Sequence, residues 1–358
     1  MTQALNLANL ANSINSSGQL AGSAVNGAVA SATNATNATN LTGGTCTIGT
    51  TQLGAGNASI MKNRIINGAM VISQRNGTTA VNISPNQYTL DRWNATGNQT
   101  SKYSVQQSST APTGFTNSLL VTSLSAYSVL TGDFNMVYQK IEGYNVSDLG
   151  WGTANAKTVT LSFQVYSSLT GTFGGSITNG AQNRSYPFTY TVSSANTWTS
   201  ISVTIAGDTT GTWTTDNSAS VSVFFGLGIG ATYSGTAGAW ASSTYYSATG
   251  ATSVVGTSGA TFYITGIQLE VGSSATGFEY RQYGQELALC QRYCIVSSFV
   301  VDTSAVAQGT FFPATMRTIP TATGGGSGFA LGGTTSTSYF VCYQTTRSGQ
   351  TLTITAEL

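Results

Sequence analysis

The nine residues TVTLSFQVY at positions 158–166 alternate apolar and polar side chains with a period of two. The apolar phase contains Val159, Leu161, Phe163 and Val165. This alternation is the pattern of a β-strand with one buried face and one solvated face. Because an apolar sheet face needs a second layer to cover it, the segment predicts an antiparallel β-sandwich.

Three other segments show the same alternation. Their apolar positions are Tyr186, Phe188, Tyr190 and Val192; Ile201, Val203 and Ile205; and Val221, Val223 and Phe225. Between positions 261 and 270 the phase slips at Gly266, and a glycine at such a slip indicates a β-bulge. We therefore predict a mainly β chain whose sandwich covers residues 62–282.

The segment QELALCQRYC at positions 285–294 has helical spacing, with Leu289 four residues before Tyr293 and Cys290 four before Cys294. It predicts a short linker helix within residues 283–297. Residues 298–358 then form a small C-terminal β domain. In it, residues 339–344 and 351–358 are expected to pair as a hairpin, with Tyr339 and Tyr343 on one face.

Residues 1–61 contain no charged side chain. Leu7, Leu10 and Ile14 follow a 3,4 spacing after a possible Thr2 cap, which predicts a short helix. Such a helix is marginal alone in water, so it needs sister chains or a docking site on something larger. The tripeptide ATN then repeats over residues 32–40, which is typical of either a flexible linker or a thin stalk wound with identical chains.

The composition excludes several classes of function. The chain has 358 residues, no histidine, 6% charged residues and a net charge of +1. Without histidine there is no Ser-His-Asp or Cys-His relay and no imidazole metal ligand. A net charge of +1 indicates no basic surface that would bind nucleic acid. No apolar run is long enough to cross a membrane and the first residues do not resemble a signal peptide, so we expect no membrane insertion and no export by that route.

The cysteines and acidic residues indicate structural roles. Four scattered cysteines predict free thiols rather than a disulfide framework, and Cys290 and Cys294 are expected to be packing residues. No cofactor or metal site is implied. The acids occur singly, and Asp91 beside Arg92 and Glu279 beside Arg281 suggest ion pairs rather than a glycosidase pair. We therefore expect no enzymatic activity.

Aromatic residues among glycine, serine and threonine are better candidates for function, because sugar rings stack on Trp and Tyr faces. Trp93, Trp151 and Trp198 adjoin strand patterns and are expected to pack in the core, whereas Trp213 has a loop-like placement. The candidate glycan-binding residues are Trp240, Tyr245, Tyr246, Tyr339 and Tyr343.

Several strings together resemble fibre proteins of tailed bacteriophages, notably those of marine phages and cyanophages. They are NRIINGAM (63–70), YTLDRW (88–93), QKIEG (139–143), GIQLEVG (266–272), ELALCQRY (286–293), MRTIP (316–320) and AEL (356–358). The leader MTQALNLANLANSINSSGQL is similar to the start of such fibres. The family usually has Tyr at the position of Cys294, so the resemblance implies no role for that residue.

This resemblance implies a jelly roll like that of carbohydrate-binding modules, a homotrimer, and location in the virion after assembly in the host cytoplasm. Our first hypothesis is a tail fibre that attaches to other virion proteins through residues 1–61, with Leu7, Leu10 and Ile14 as contacts, and binds host-surface glycans. The alternatives are a capsid decoration or head fibre with a structural or weakly adhesive role, and a polysaccharide-degrading enzyme.

Overall fold

A computed structural model of the chain describes residues 61–301, 308–324, 329–331, 336–344 and 348–358. The predictions for Leu7, Leu10, Ile14 and the stalk concern residues outside these ranges. The strands and the helix of the described part are β1 (Val81–Asn82), β2 (Gln87–Leu90), β3 (Trp93–Gly97), β4 (Tyr103–Ser108), β5 (Ser118–Ser123), β6 (Phe134–Glu142), β7 (Val159–Ser167), β8 (Gly171–Asn179), β9 (Ser185–Val192), β10 (Thr199–Ile205), β11 (Ala219–Ile229), β12 (Ser234–Gly235), β13 (Ser247–Ala248), β14 (Thr261–Val271), α1 (Tyr283–Gln291), β15 (Cys294–Val301), β16 (Gln308–Phe311), β17 (Thr321–Gly324), β18 (Phe329–Leu331), β19 (Tyr339–Gln344) and β20 (Ser348–Thr355).

Two antiparallel six-stranded sheets form the sandwich. Sheet 1 has the strand order β1-β4-β5-β14-β7-β10, and sheet 2 has the order β2-β3-β6-β11-β8-β9. The mainly β, antiparallel sandwich predicted from the sequence is confirmed in the described residues. No helix among these residues is long and apolar enough to span a membrane.

The core lies between the two sheets, where alternate residues of each strand meet. The apolar phase of β7 is buried as predicted, and so are Tyr186, Phe188, Tyr190 and Val192 of β9. Phe163 from sheet 1 packs edge to face on Tyr190 and Phe225 from sheet 2, with ring centroids 5.0 and 5.1 Å apart. Aromatic pairs in this geometry add to the free energy gained by burial.

Strand β11 departs from the predicted one-sided pattern. Val221, Val223 and Phe225 are buried in the core, but Ser222 and Phe224 on the other face are buried as well. Phe224 is covered by a loop segment at residues 231–260 that folds back over sheet 2, where the Tyr246 ring packs on Phe224 with centroids 5.1 Å apart. A Cβ atom at Gly174 of β8 would lie 2.3 Å from the Ser247 hydroxyl, so this loop lies directly on the strand.

The predicted bulge in β14 is present. Its pairing with β7 shifts register between Thr265 and Gln268, and Gly266 has a φ of +62°. A positive φ is strained for residues with a Cβ atom, which accounts for the glycine.

The helix is present but shorter than its predicted limits. It ends at Gln291, and Cys294 starts β15, so Tyr293 and Cys294 do not continue the helical stripe. The Tyr293 carbonyl accepts a hydrogen bond from the Ala356 amide at 2.8 Å, which draws this segment into extended pairing.

The C-terminal strands form two three-stranded sheets rather than the predicted hairpin. β20 lies between β15 and β17, whereas β19 lies between β16 and β18. Leu352, Ile354 and Ala356 are buried with Ile295 and Met316, so the predicted alternation is present. This core selects β15 and β17 as the partners of β20, and the hairpin between residues 339–344 and 351–358 is therefore wrong.

Candidate functional site

The loop after β11 carries three of the predicted site residues and is pinned to β9. The amide of Ser185 donates to the Ala241 carbonyl at 3.0 Å, and the Ala241 amide donates back to Ser185 at 2.8 Å. The Ser185 hydroxyl also donates to the Ser243 carbonyl at 2.7 Å. These contacts fix Trp240 beside the edge of sheet 2.

Trp240 closes one end of the core. Its ring packs edge to face on Trp151, Trp213 and Tyr186, with centroids 5.4, 5.5 and 5.3 Å away. Its indole N–H donates to the Ala206 carbonyl at 2.7 Å. Because several edges and faces of this half-buried ring are in contact with protein, its arrangement suits packing better than sugar stacking.

An ion pair between Arg184 and Asp208 stabilises the loops around Trp240. Arg184 binds both oxygens of the buried Asp208 at 2.7 Å and the Ser242 hydroxyl at 2.7 Å. Burial acts to raise the pKa of Asp208, but the hydrogen bonds from Arg184 and Thr210 outweigh it and hold the pKa below its usual value. The pair therefore joins the loop after β10 to the loop that carries Trp240.

Tyr246 belongs to a second aromatic cluster, on the outer face of sheet 2. It stacks on Tyr233 at 5.2 Å and packs on Phe224 at 5.1 Å, and its hydroxyl donates to the Gln182 side chain at 2.9 Å. Burial raises its pKa. Tyr245 is half-buried against Gly235, where a Cβ atom would lie 2.3 Å from the ring. Trp240 and Tyr246 thus belong to separate clusters.

The last two candidates lie in β19. Tyr339 is paired through the backbone with Phe311, and Tyr343 with Ala330. Their shared role in binding stays a prediction. Trp93 and Trp151 are buried in the core, as expected, and Trp198 is half-buried beside Tyr166.

A pocket missed by the sequence analysis lies beside the bulge of β14. Phe115, Phe278 and Tyr280 form a triad with ring centroids 5.0–5.6 Å apart. They line a pocket of about 150 Å³ together with Ala69, Val71, Gly114, Thr116, Glu279, Arg281 and Glu286. Tyr280 is 63% exposed, so much of its ring is open to solvent. We call this the Tyr280 pocket.

The charged groups of the Tyr280 pocket are bound to the segment that begins at Met61. The two carboxylate oxygens of Glu279 accept from the amides of Met61 and Asn63 at 2.5 and 2.6 Å. Arg281 donates to the carbonyls of Asn63 and Ile65. It also contacts Glu279 at 3.6 Å, as predicted from their spacing. These bonds fix the floor of the pocket.

The other acids in the described ranges are also engaged with donors. Arg92 pairs with Glu357 and not with Asp91, which corrects the pairing suggested by their adjacency. The remaining contacts are Asp91 with Gln74, Asp133 with Tyr127, Glu142 with Arg292, Asp148 with Arg64, Asp216 with Ser218, Glu270 with Thr276, and Glu286 with Asn67 and Arg281. These carboxylates therefore hold the fold together.

The two described cysteines, Cys290 and Cys294, are free thiols and both are buried. Burial raises the pKa of Cys294 to about 12, so this thiol stays protonated at neutral pH. In the part of the chain that the structure describes, no group of three His, Cys, Asp or Glu residues is placed to hold a metal ion.

The comparisons with known proteins give only distant likenesses. No family model and no curated protein matches the chain. Among solved structures, the enzymatically active domain of bacteriophage CBA120 tailspike protein 4 is 12% identical, with a TM-score of 0.33; the match covers 59% of this chain and 21% of that one.

Two carbohydrate-related structures match over nearly their whole length. A protein described as a sugar-binding candidate from Bacteroides thetaiotaomicron is 12% identical over 59% of this chain and 100% of its own, with a TM-score of 0.36. A xylan-binding domain from Paenibacillus barcinonensis is 10% identical over 56% and 99%, with a TM-score of 0.29. These scores are too low to carry a functional argument.

Proposed function

We propose that the chain is a homotrimeric fibre protein of a phage virion that binds host-surface glycans at the Tyr280 pocket. The observation that carries the glycan part is the exposed Tyr280 ring, set in a concave site with two further aromatic rings and fixed charged groups. An apolar aromatic surface beside a few convergent polar groups is the usual arrangement of a small-molecule site.

The pocket has the size and chemistry for one sugar ring. The C–H face of a pyranose can stack on Tyr280, while its hydroxyls can bond to the exposed Thr116 hydroxyl and the Tyr280 phenol. Gly114 has a φ of +93°, and a Cβ atom there would lie 3.0 Å from the Tyr280 hydroxyl. The glycine therefore keeps the rim beside this hydroxyl open.

The virion part of the proposal rests on residues 1–61. A chargeless segment whose sequence predicts one short helix, followed by an ATN repeat, suits a stalk that three chains share and that attaches to other virion proteins. A capsid decoration or head fibre would use the same attachment. Labelled antibody on intact particles locates the protein at the tail or at the head and decides between them.

We propose binding without turnover. Glycoside hydrolysis needs one protonated and one ionised carboxyl group flanking the scissile bond. In the Tyr280 pocket the acids are Glu279 and Glu286, and both carboxylates accept hydrogen bonds from backbone amides of the segment that begins at Met61. Both are therefore engaged in holding that segment rather than flanking a bound sugar. Release of reducing sugar from a bound polysaccharide would contradict this assignment.

The test compares Tyr280→Ala with Tyr283→Ala. The two tyrosines are 63% and 64% exposed, but Tyr283 lies on α1 outside the pocket lining. On a panel of bacterial surface polysaccharides, Tyr280→Ala should weaken binding about tenfold, which corresponds to about 1.4 kcal/mol of lost stacking. Tyr283→Ala should bind like the unmodified chain, and both should keep its melting temperature. Equal binding by the two variants would refute the site.

A further inference from the structure

Lys140 is a half-buried cation on the outer face of sheet 2. The pairing of β6 with β11 places it opposite Ser222. The pair Tyr138 and Phe224 lies two residues further along the strands, on the same face. The Ser222 hydroxyl is buried and has no hydrogen-bond partner among the described residues. The Lys140 ammonium likewise has neither a carboxylate nor a hydrogen-bond acceptor in the described part of the chain.

The charged groups around Lys140 are mostly positive. Arg92 donates to the Lys140 carbonyl at 2.6 Å and pairs with Glu357. Arg75 pairs with the same carboxylate at 2.8 Å. Arg317 donates to the carbonyls of Ala356 and Glu357 at 2.9 and 3.0 Å. Arg75 and Arg92 thus share the Glu357 carboxylate, while Arg317 binds the backbone of the same residue. Asp91 is the second acid of this group.

Neither acid compensates Lys140. Glu357 is engaged by the two arginines, and Asp91 accepts two hydrogen bonds from Gln74. Burial, together with Arg92 and Arg317, lowers the pKa of Lys140, which shows that its surroundings disfavour the cation. Partial burial of an ammonium that has no carboxylate partner costs free energy, which a bound anion would offset.

We propose that Lys140 and Ser222, which the strand register places opposite each other, bind an oxyanion on the outer face of sheet 2. The ammonium and the hydroxyl supply the donors. Arg317, whose own donors are occupied by carbonyls, supplies fixed positive charge. A phosphate, sulfate or carboxylate group fits this chemistry, as a free ion or as a substituent of an acidic polysaccharide. This inference is independent of the Tyr280 pocket.

The test measures the melting temperature of the full chain in sodium phosphate, sodium sulfate or sodium glucuronate, against sodium chloride at matched ionic strength. At least one oxyanion should raise it, because a ligand that binds only the folded state stabilises that state. Lys140→Gln should abolish the rise, whereas Lys157→Gln, which removes an exposed ammonium, should keep it. Without added oxyanion, Lys140→Gln should melt at or above the temperature of the unmodified chain.

A second variant guards against misfolding of the first. Ser222→Ala removes one donor without changing the charge, and it should weaken the affinity measured by calorimetry severalfold. Tyr280→Ala should leave the oxyanion response unchanged. The oxyanion proposal and the glycan-binding proposal can therefore be refuted independently of each other. No rise beyond that in chloride, or an equal rise in Lys140→Gln, would overturn the proposal. Glucuronate binding tighter than phosphate would point to an acidic polysaccharide, and the reverse to a phosphate group.

Discussion

Trp240 is the residue whose predicted role the structure changes most. It fills the gap between Trp151, Trp213 and Tyr186 and donates to the Ala206 carbonyl. We expect Trp240→Ala to lower the free energy of unfolding by about 2–3 kcal/mol, somewhat below the cost of truncating a fully buried tryptophan. Urea denaturation measures the change. Trp198→Ala, at a half-buried ring outside the main core, should cost clearly less; equal costs would contradict the packing role.

Asp208 should make stability depend on pH in the acid range. Its folded-state pKa is depressed, so its contribution is complete above the unfolded value of about 3.9 and is lost as the pH falls through the folded value. Between pH 5 and pH 3, Asp208→Asn should therefore show a shallower loss of unfolding free energy than the unmodified chain. Asp148→Asn, which breaks an exposed pair with Arg64, serves as the control and should change the slope little. Parallel curves for the unmodified chain and Asp208→Asn would disprove the assignment.

At the scale of the element, the bulge of β14 shapes the Tyr280 pocket. A Cβ atom at Gly266 would lie 2.7 Å from the Phe115 ring, at a φ that already strains other residues. Gly266→Ala should cost about 1–3 kcal/mol of stability and should also weaken polysaccharide binding, because Phe115 must move. Gly277→Ala, where a Cβ atom meets nothing within 4 Å, should do neither. Thermal melts and the polysaccharide assay check both effects.

Local alternation predicts a strand well when one face of the strand is covered by the opposite sheet and the other face is exposed to solvent. This held for β7 and β9. It failed for β11, because Phe224 on its second face is covered by Tyr246 from the segment that follows the strand and folds back over it, which no short pattern contains. The position of the helix was visible in its spacing, but its end at Gln291 depends on pairing between Tyr293 and Ala356.

The Tyr280 pocket was even harder to predict from short sequence patterns than the strands were. Phe115 is far in sequence from Phe278 and Tyr280, and it meets them in the fold at a point where its ring also packs close to Gly266 in the bulge. The one local signal was the alternation of Phe278 and Tyr280 after Gly277. Trp240 and Tyr246 were favoured by their glycine-rich and serine-rich surroundings, but that loop is folded against sheet 2, where those rings pack.

At the scale of the whole molecule, the strings that carry the resemblance to phage fibres supply framework contacts. Arg92 from YTLDRW and Arg317 from MRTIP both bind Glu357 from AEL. The backbone of Ile66 in NRIINGAM exchanges two hydrogen bonds with the Gln139 side chain of QKIEG. These strings therefore specify how the C-terminal strands join the sandwich, while the Tyr280 pocket is lined mainly by residues outside them.

The largest prediction concerns assembly. The sequence of residues 1–61 predicts an apolar helix face without any charge to solvate it, so we expect the purified full chain to be a trimer with three times the 36.9 kDa chain mass by light scattering. A chain beginning at Lys62 should still unfold cooperatively, because the core between sheets 1 and 2 consists of later residues. A stable monomer of the full chain would exclude the trimer. If the shortened chain aggregated while the full chain did not, the boundary at residue 62 would be wrong, and residues before it would be required to cover the sandwich.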